Sequence, residues 1–248
     1  MPTVSSMLSM PDARWTIQTT KHFELYFDRD AFTALEQDSI AEAMERHYET
    51  VLSKLQEQPN EREIFSHFIV RTPERYALLT RNQNLTSWHH LNFFSTSSVL
   101  NSYMVTMANH PNHDEMIKTE LAYLLNNKRW WWQRDWDCDD ALGVYVNDNW
   151  RGYDLHLLAA FFLKNNISFW HNEVFRFGNR NFKTPIQASL LKYGMENNNK
   201  EIFNLVCSYQ YSPQVRTNNF IYEWEQMLKV RYFSNPALDT ISYFKQIR

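Results

Sequence analysis

Glycine and proline are scarce in this chain, at 4 and 8 residues of 248. Tight hairpins draw on residues that tolerate positive φ, so the shortage argues against a sandwich or propeller built from many short strands. Cysteine is scarcer still, with only Cys138 and Cys207. Two thiols make neither a disulfide framework nor a four-sulfur metal site; they read as free thiols in a reducing compartment. Positive charge is not in excess: 25 basic residues against 28 acidic ones give a formal net charge of −3 and a pI near 6.3. Neither nucleic acid nor a membrane surface is therefore expected as a partner. No apolar run reaches the roughly eighteen residues of a membrane span. The opening "MPTVSSMLSMPDAR" has no basic start and no long apolar core, so no cleavable signal peptide is expected. The implied location is the cytoplasm, or export without such a peptide.

Apolar and aromatic residues, by contrast, are plentiful at 44% and 16%. A chain of this length and composition buries a sizeable core and is not disordered. Residues 15–28, "WTIQTTKHFELYFD", alternate. Phe23, Leu25 and Phe27 share one side and His22, Glu24 and Tyr26 the other, which predicts a half-buried strand. Residues 31–57 carry apolar side chains at helical spacing and stop before Pro59, so they predict a long amphipathic helix. "EIFSHFIV" (63–70) reads as a strand. Thr72 as N-cap and Pro73 at the first helical position open a short helix. "SWHHLNFF" and "SVLNSYMVTM" suggest an antiparallel pair within 85–107.

Beyond residue 110 the periodicity is helical. It predicts helices at 112–127, 139–147, 154–165, 185–193, 199–209 and 218–231. Thr184 and Pro185 should open the fourth of these and Gly194 close it. The fold class is α+β. A tail (1–14) precedes a single domain (15–248), in which a mixed part with a small sheet (15–110) packs on an all-helical part (111–248). No Gly, Ser or Pro linker divides them.

The chemistry concentrates in "MIKTELAYLLNNKRWWWQRDWDCDDALGVYV", residues 116–146. Thr119, Glu120 and Tyr123 form a polar group on an otherwise apolar helix. Leu121, Leu124 and Leu125 face the core, while Thr119 and Tyr123, four apart, share a face. Trp130, Trp131, Trp132 and Trp136, with Arg129 and Arg134, read either as an aromatic binding surface or as plugs beneath a loop. Burial of all four is not expected, so at least one should line a cleft. Asp139 and Asp140 follow. Upstream, His110 and His113 in "NHPNHDE" read as a rewired metal pair, or as a helix start capped by Asn109 or Asn112 with Asp114 and Glu115 against the dipole. His89 and His90 point to opposite faces of a strand and are taken as structural. His47, His156 and His171 stand singly and receive no role. Cys138 has no histidine at a spacing that would make it a nucleophile.

Several segments, in order, resemble the peptidase MA-like family of gluzincin metallopeptidases. "TTKHFELYFD" resembles the family's opening strand and "AEAMERHYETVLSKL" its long first helix. "TELAYLL" sits where the family has its "HELAH" helix. "DALGVYV" resembles the glutamate-bearing "EGLAVYV" segment, "SLLKYG" a later helix and "YEWEQML" the closing one. The resemblance runs from about Trp15 to Met227 and implies a zincin-like fold. It puts Thr119 and Tyr123 in the places of the two zinc histidines and Glu120 in that of the general base. Asp140 takes the place of the third ligand if "DALGVYV" is aligned on its apolar residues; alignment on Trp136 selects Asp139. Neutral hydroxyls bind Zn²⁺ weakly compared with imidazole. The family's zinc is therefore not expected here, nor any other cofactor. The implied protein is a pseudoenzyme whose former cleft binds a protein, a peptide or another ligand. The alternatives are a metal-dependent hydrolase with rewired ligands around Glu120 and Asp140, and a non-enzymatic interaction protein.

Overall fold

A computed structural model describes residues 3–10, 14–80, 95–98, 103–130, 136–167, 180–199, 202, 206 and 219–243. The chain is α+β and forms two compact units, Met1–Trp130 and Trp131–Arg248.

The first unit is built on a five-stranded sheet. Its strands are β1 (Trp15–Thr19), β2 (Phe23–Asp28), β3 (Phe65–Val70), β4 (Ser95–Ser98) and β5 (Tyr103–Met107), in the order β1-β2-β3-β5-β4. The two inner pairings, β2–β3 and β3–β5, are parallel; the two outer ones are antiparallel. The stretch expected as one strand over 15–28 is instead a hairpin. Its turn is fastened to α2 (Ala34–Lys54): the Glu45 carboxylate accepts from Thr20 Oγ1 (2.5 Å) and the His22 backbone N–H (2.8 Å), and pairs with His22 Nδ1 (2.7 Å). The half-buried reading of β2 also needs correction. His22 stacks on Tyr48 of α2 at 4.2 Å, and Tyr26, on the expected solvent side, stacks on Phe68 at 4.6 Å. A strand with a parallel neighbour is covered on both faces, so its alternation marks two different cores.

On one face, Phe23 and Phe65 pack against Tyr48. On the other, Tyr26, Phe68, Val70, Tyr103 and Val105 meet Tyr76 and Leu79 of α3 (Pro73–Thr80). Met7 joins this second cluster with 0% exposure. The expected tail thus contains a short helix, α1 (Val4–Leu8), opened by a Thr3–Ser6 capping box and held by Met7, whose burial is worth about 2 kcal/mol, with Val4 packed against the same cluster. At the start of α2, Glu36 completes a capping box with Thr33; that backbone hydrogen bond first, and Arg71 second, bring its carboxyl down to about 2. Thr72 caps α3 as the sequence suggests, accepting from the Arg75 N–H at 3.2 Å. Of the expected pair in 85–107, β5 falls within the second predicted segment and β4 overlaps only its first residue, Ser98. "SWHHLNFF", with His89 and His90, lies outside the described residues. Helix α4 (His113–Trp130) packs on α2, β4 and β5, so it belongs with the sheet and not with the helices that follow it.

The second unit contains α5 (Trp136–Asn147), a hairpin of β6 (Asn149–Trp150) and β7 (Tyr153–Asp154), α6 (Leu155–Lys164), α7 (Arg180–Glu196), α8 (Asn219–Tyr232) and α9 (Ala237–Thr240). Arg151 and Gly152, at φ of 54° and 83°, make the two-residue hairpin turn. Helix α7 departs from its prediction at both ends. Pro185 lies inside it, not at its start. Proline brings no N–H for the carbonyl four residues back, that of Asn181. Tyr243 supplies the donor instead: its hydroxyl donates to Asn181 O at 2.6 Å and accepts from Trp150 Nε1 at 2.7 Å. Nor does Gly194 end the helix. A Cβ there would lie 2.3 Å from Ile202 Cγ2, so this glycine serves close packing; Asn198, at φ of 53°, follows the last turn. Most of the helix expected at 199–209, and His171, lie outside the described residues.

Candidate functional site

Helix α4 is apolar through its middle, where Met116, Ile117, Leu121, Ala122, Leu124 and Leu125 are all buried. The three leucines face the core as expected. Thr119 and Glu120 are buried with them, at 7% and 3% exposure, and Tyr123 is half-buried. A carboxylate in such surroundings is costly unless compensated. Its field reaches Tyr76 on α3, whose hydroxyl is pushed up by burial first and by Glu120 second.

The other residues singled out in the sequence are distributed differently. Asp140 is half-buried on α5, in the second unit, whereas Glu120 is in the first. Trp136 and Asp139 belong to the α5 backbone and Trp130 ends α4, but their side chains lie outside the described residues, as do Trp131 and Trp132 altogether. The Trp-rich surface expected from the sequence falls on those positions.

The described histidines of the first unit have positions the sequence only partly indicates. His113 is the first residue of α4 and turns its ring back onto the sheet, Nε2 standing 3.0 Å from Thr106 Oγ1 of β5. The same hydroxyl lies 2.7 Å from His67 Nε2 of β3. His47 of α2 approaches Asp114 Oδ1 at 3.3 Å. His110 instead closes a local turn, its Nδ1 accepting from the Asn112 N–H at 3.2 Å. Burial lowers all four: His113 to about 4, His67 well below its usual range, and His47 and His110 in the same direction. Among the described residues, no group of three His, Cys, Asp or Glu side chains is placed to hold a metal ion. His67 went unremarked in the sequence. The signal was present in "EIFSHFIV", where it shares a face with Phe65 and Ile69, both core residues.

A second network joins three helices of the other unit. Trp224 Nε1 on α8 donates to Ser189 Oγ on α7 at 3.1 Å, and that oxygen lies 2.8 Å from His156 Nδ1 on α6. Indole is a donor only, so the serine accepts from it and is left to donate its own proton to His156. The imidazole then carries its proton on Nε2, which faces Glu196 Oε2 at 3.5 Å. Serine, histidine and carboxylate in this order match a hydrolytic relay in polarity. But Ser189 is 0% exposed in the middle of α7, where no substrate reaches it; the group is a fastener. His156, given no role from sequence, is its centre. Beside it, Lys192 Nζ pairs with Asp148 at 2.7 Å and Asp154 at 3.3 Å.

No helix among the described residues is long and apolar enough to cross a membrane. Comparison of the chain with family models, curated proteins and solved structures finds no match.

Proposed function

We propose that this protein is a catalytically inactive relative of the gluzincin peptidases, zincin-like in fold, whose first unit binds an extended protein or peptide segment beside α4. The observation that carries the reading is the state of the T-E-L-A-Y helix. It packs beside an antiparallel edge strand, it buries Glu120, and it offers Thr119 and Tyr123 where the resemblance calls for imidazoles. Two neutral hydroxyls and one carboxylate do not fit zinc, which takes its tight sites from imidazole and thiolate with carboxylate as a supplement. Glu120 without a metal-bound water has no nucleophile to activate.

The binding part rests on β4. It stands at the end of the strand order, and among the described residues no further strand pairs with its outer edge. The backbone groups of an edge strand can pair with an added strand, and the sequence Ser-Thr-Ser-Ser contains no bulky or charged residue.

Elemental analysis of protein purified without chelator, together with a peptide-cleavage assay, tests the reading. The expected result is substoichiometric zinc, no cleavage, and no effect of Glu120→Gln on peptide binding. Stoichiometric zinc, with cleavage that Glu120→Gln abolishes, would overturn it in favour of the hydrolase with rewired ligands around Glu120 and Asp140.

A further inference from the structure

We propose that the imidazoles of His47, His67 and His113 form a pH-sensitive latch, which pins the start of α4 to β3, β5 and α2 while neutral and releases it on acidification. The inference rests on the geometry of the first unit alone and stands independently of the peptidase resemblance.

The connection runs through one hydroxyl. His67 Nε2, Thr106 Oγ1 and His113 Nε2 make a continuous chain at 2.7 and 3.0 Å, joining β3 to β5 and β5 to the first residue of α4. His47 Nε2 on α2 stands 3.3 Å from Oδ1 of the next residue, Asp114, a close approach without hydrogen-bond geometry. The direction of the chain follows from its one gap. His67 Nδ1 is buried and has no hydrogen-bond partner among the described residues. An orphan lone pair costs less than an orphan N–H, which puts the His67 proton on Nε2, donating to Thr106. Thr106 then donates to His113 Nε2, which is the unprotonated nitrogen of that ring.

A second proton is badly received at both ends of this chain. On His67, which is 0% exposed, it would go to the orphan Nδ1 and create a buried cation with an unmet donor. On His113 it would turn Nε2 from acceptor to donor, so the Thr106 hydroxyl would have to swing away. It would also place a cation at the positive end of the α4 dipole. The charged groups facing the cluster do not compensate. Arg46 from α2 and Lys118 from α4 are cations, His110 from the preceding turn is a further imidazole, and Asp114 is the acid among them. The Asp114 side chain is 72% exposed, so solvent screens most of its effect. Burial holds each of the three rings below its ordinary range in the folded state. Moving 109–113 into water relieves all three at once. The sheet ends where the Ala108 N–H donates to Val70 O of β3 at 2.9 Å; beyond it the segment is tied by local turns, His110 N–H to Met107 O at 3.2 Å and His113 N–H to His110 O at 3.0 Å, so 109–113 can lift without opening the sheet.

Amide hydrogen exchange of the full chain between pH 7 and 4.5, corrected for the intrinsic rate, tests the latch. The opening constant of the first α4 amides, 116–119, should rise by more than about tenfold per pH unit below 6.5, because each proton taken up contributes about tenfold. Amides in β3 should change less. In the His47→Gln/His113→Gln double variant the slope should fall to about tenfold per unit or lower. A wild-type opening constant that does not change with pH, or equal slopes in the two proteins, overturns the proposal. Should the double variant not fold, side-chain NMR of the wild type decides. Protonation of His67 should coincide with loss of protection at 116–119, and a His67 that titrates while those amides stay protected sinks the latch.

Discussion

Each unit buries a hydroxyl between ring nitrogens from different elements, and the two networks are wired differently. In the second unit, donors and acceptors run one way from Trp224 through Ser189 to His156, toward a Glu196 side chain that is 47% exposed. In the first, Thr106 stands between two imidazoles, the His67 Nδ1 is left over, and among the described residues no carboxylate ends the chain. The difference shows how the same components give a tolerant fastener or a conditional one. A network that ends on a half-exposed acid can take up a proton; one closed on itself in an apolar core cannot.

The comparison breaks most directly at Thr106. Thr106→Val keeps the shape and removes the hydroxyl, leaving two buried imidazole nitrogens without it. The expected loss is about 3 kcal/mol of first-unit stability, read from urea unfolding. A loss below about 1 kcal/mol would mean that the chain joins nothing of consequence.

The pH dependence sharpens the contrast. His47, His67 and His113 all have folded-state values below their unfolded value of 6.5. The unfolded first unit therefore binds more protons under acid conditions, and its stability, full above 6.5, falls as pH drops toward the folded values. For His113, which reaches about 4, the window is 6.5 to 4 and the loss is on the order of 2–4 kcal/mol. The second-unit network contributes one such group, His156, lowered first by burial and then by Lys192, with Glu196 and Asp154 opposing. Urea midpoints followed by a probe in each unit should fall more steeply with acid in the first; equal slopes would contradict the contrast.

These networks also mark where the sequence was legible. Segments with a clear period and ordinary punctuation, such as 31–57, 63–70 and Thr72-Pro73, gave α2, β3 and α3 close to their bounds, because one local signal sufficed. The candidate residues on α4 were legible as a polar interruption of an apolar helix, and Thr119 and Glu120 are indeed buried there. What escaped depends on partners far along the chain. Alternation in 15–28 does not reveal that Glu45 fastens a turn at Thr20, or that both faces of β2 are covered. Pro185 reads as a helix start until Tyr243 supplies the missing donor. Met7 and His67 look incidental until the sheet places them in a core.

The second network predicts a smaller effect than the first. Ser189→Ala removes the shared hydroxyl, but His156 can keep its proton on Nε2 and its contact with Glu196, leaving only a lone pair on Nδ1, so mainly the indole N–H of Trp224 loses its partner. About 1–2 kcal/mol is expected, less than for Thr106→Val under the same conditions. An equal or larger loss would show that the exposed end of the chain gives no relief.

The smallest effect belongs to Tyr243, where the strain of an interior proline is already partly met by geometry. Tyr243→Phe keeps the ring, which packs 5.2 Å from Phe162, and removes only the hydroxyl. The Asn181 carbonyl and Trp150 Nε1 each lose one partner, and both lie in half-buried residues that water can approach. The expected loss is about 1 kcal/mol, measured as a shift in the second unit's urea midpoint. Restoring a backbone donor tests whether that loss comes from the proline-freed carbonyl: in Tyr243→Phe/Pro185→Ala, the alanine N–H can bond Asn181 O within α7, and most of the deficit should return. A double variant less stable than Tyr243→Phe would show that Pro185 holds the helix by its fixed φ, and that the hydroxyl matters chiefly to Trp150.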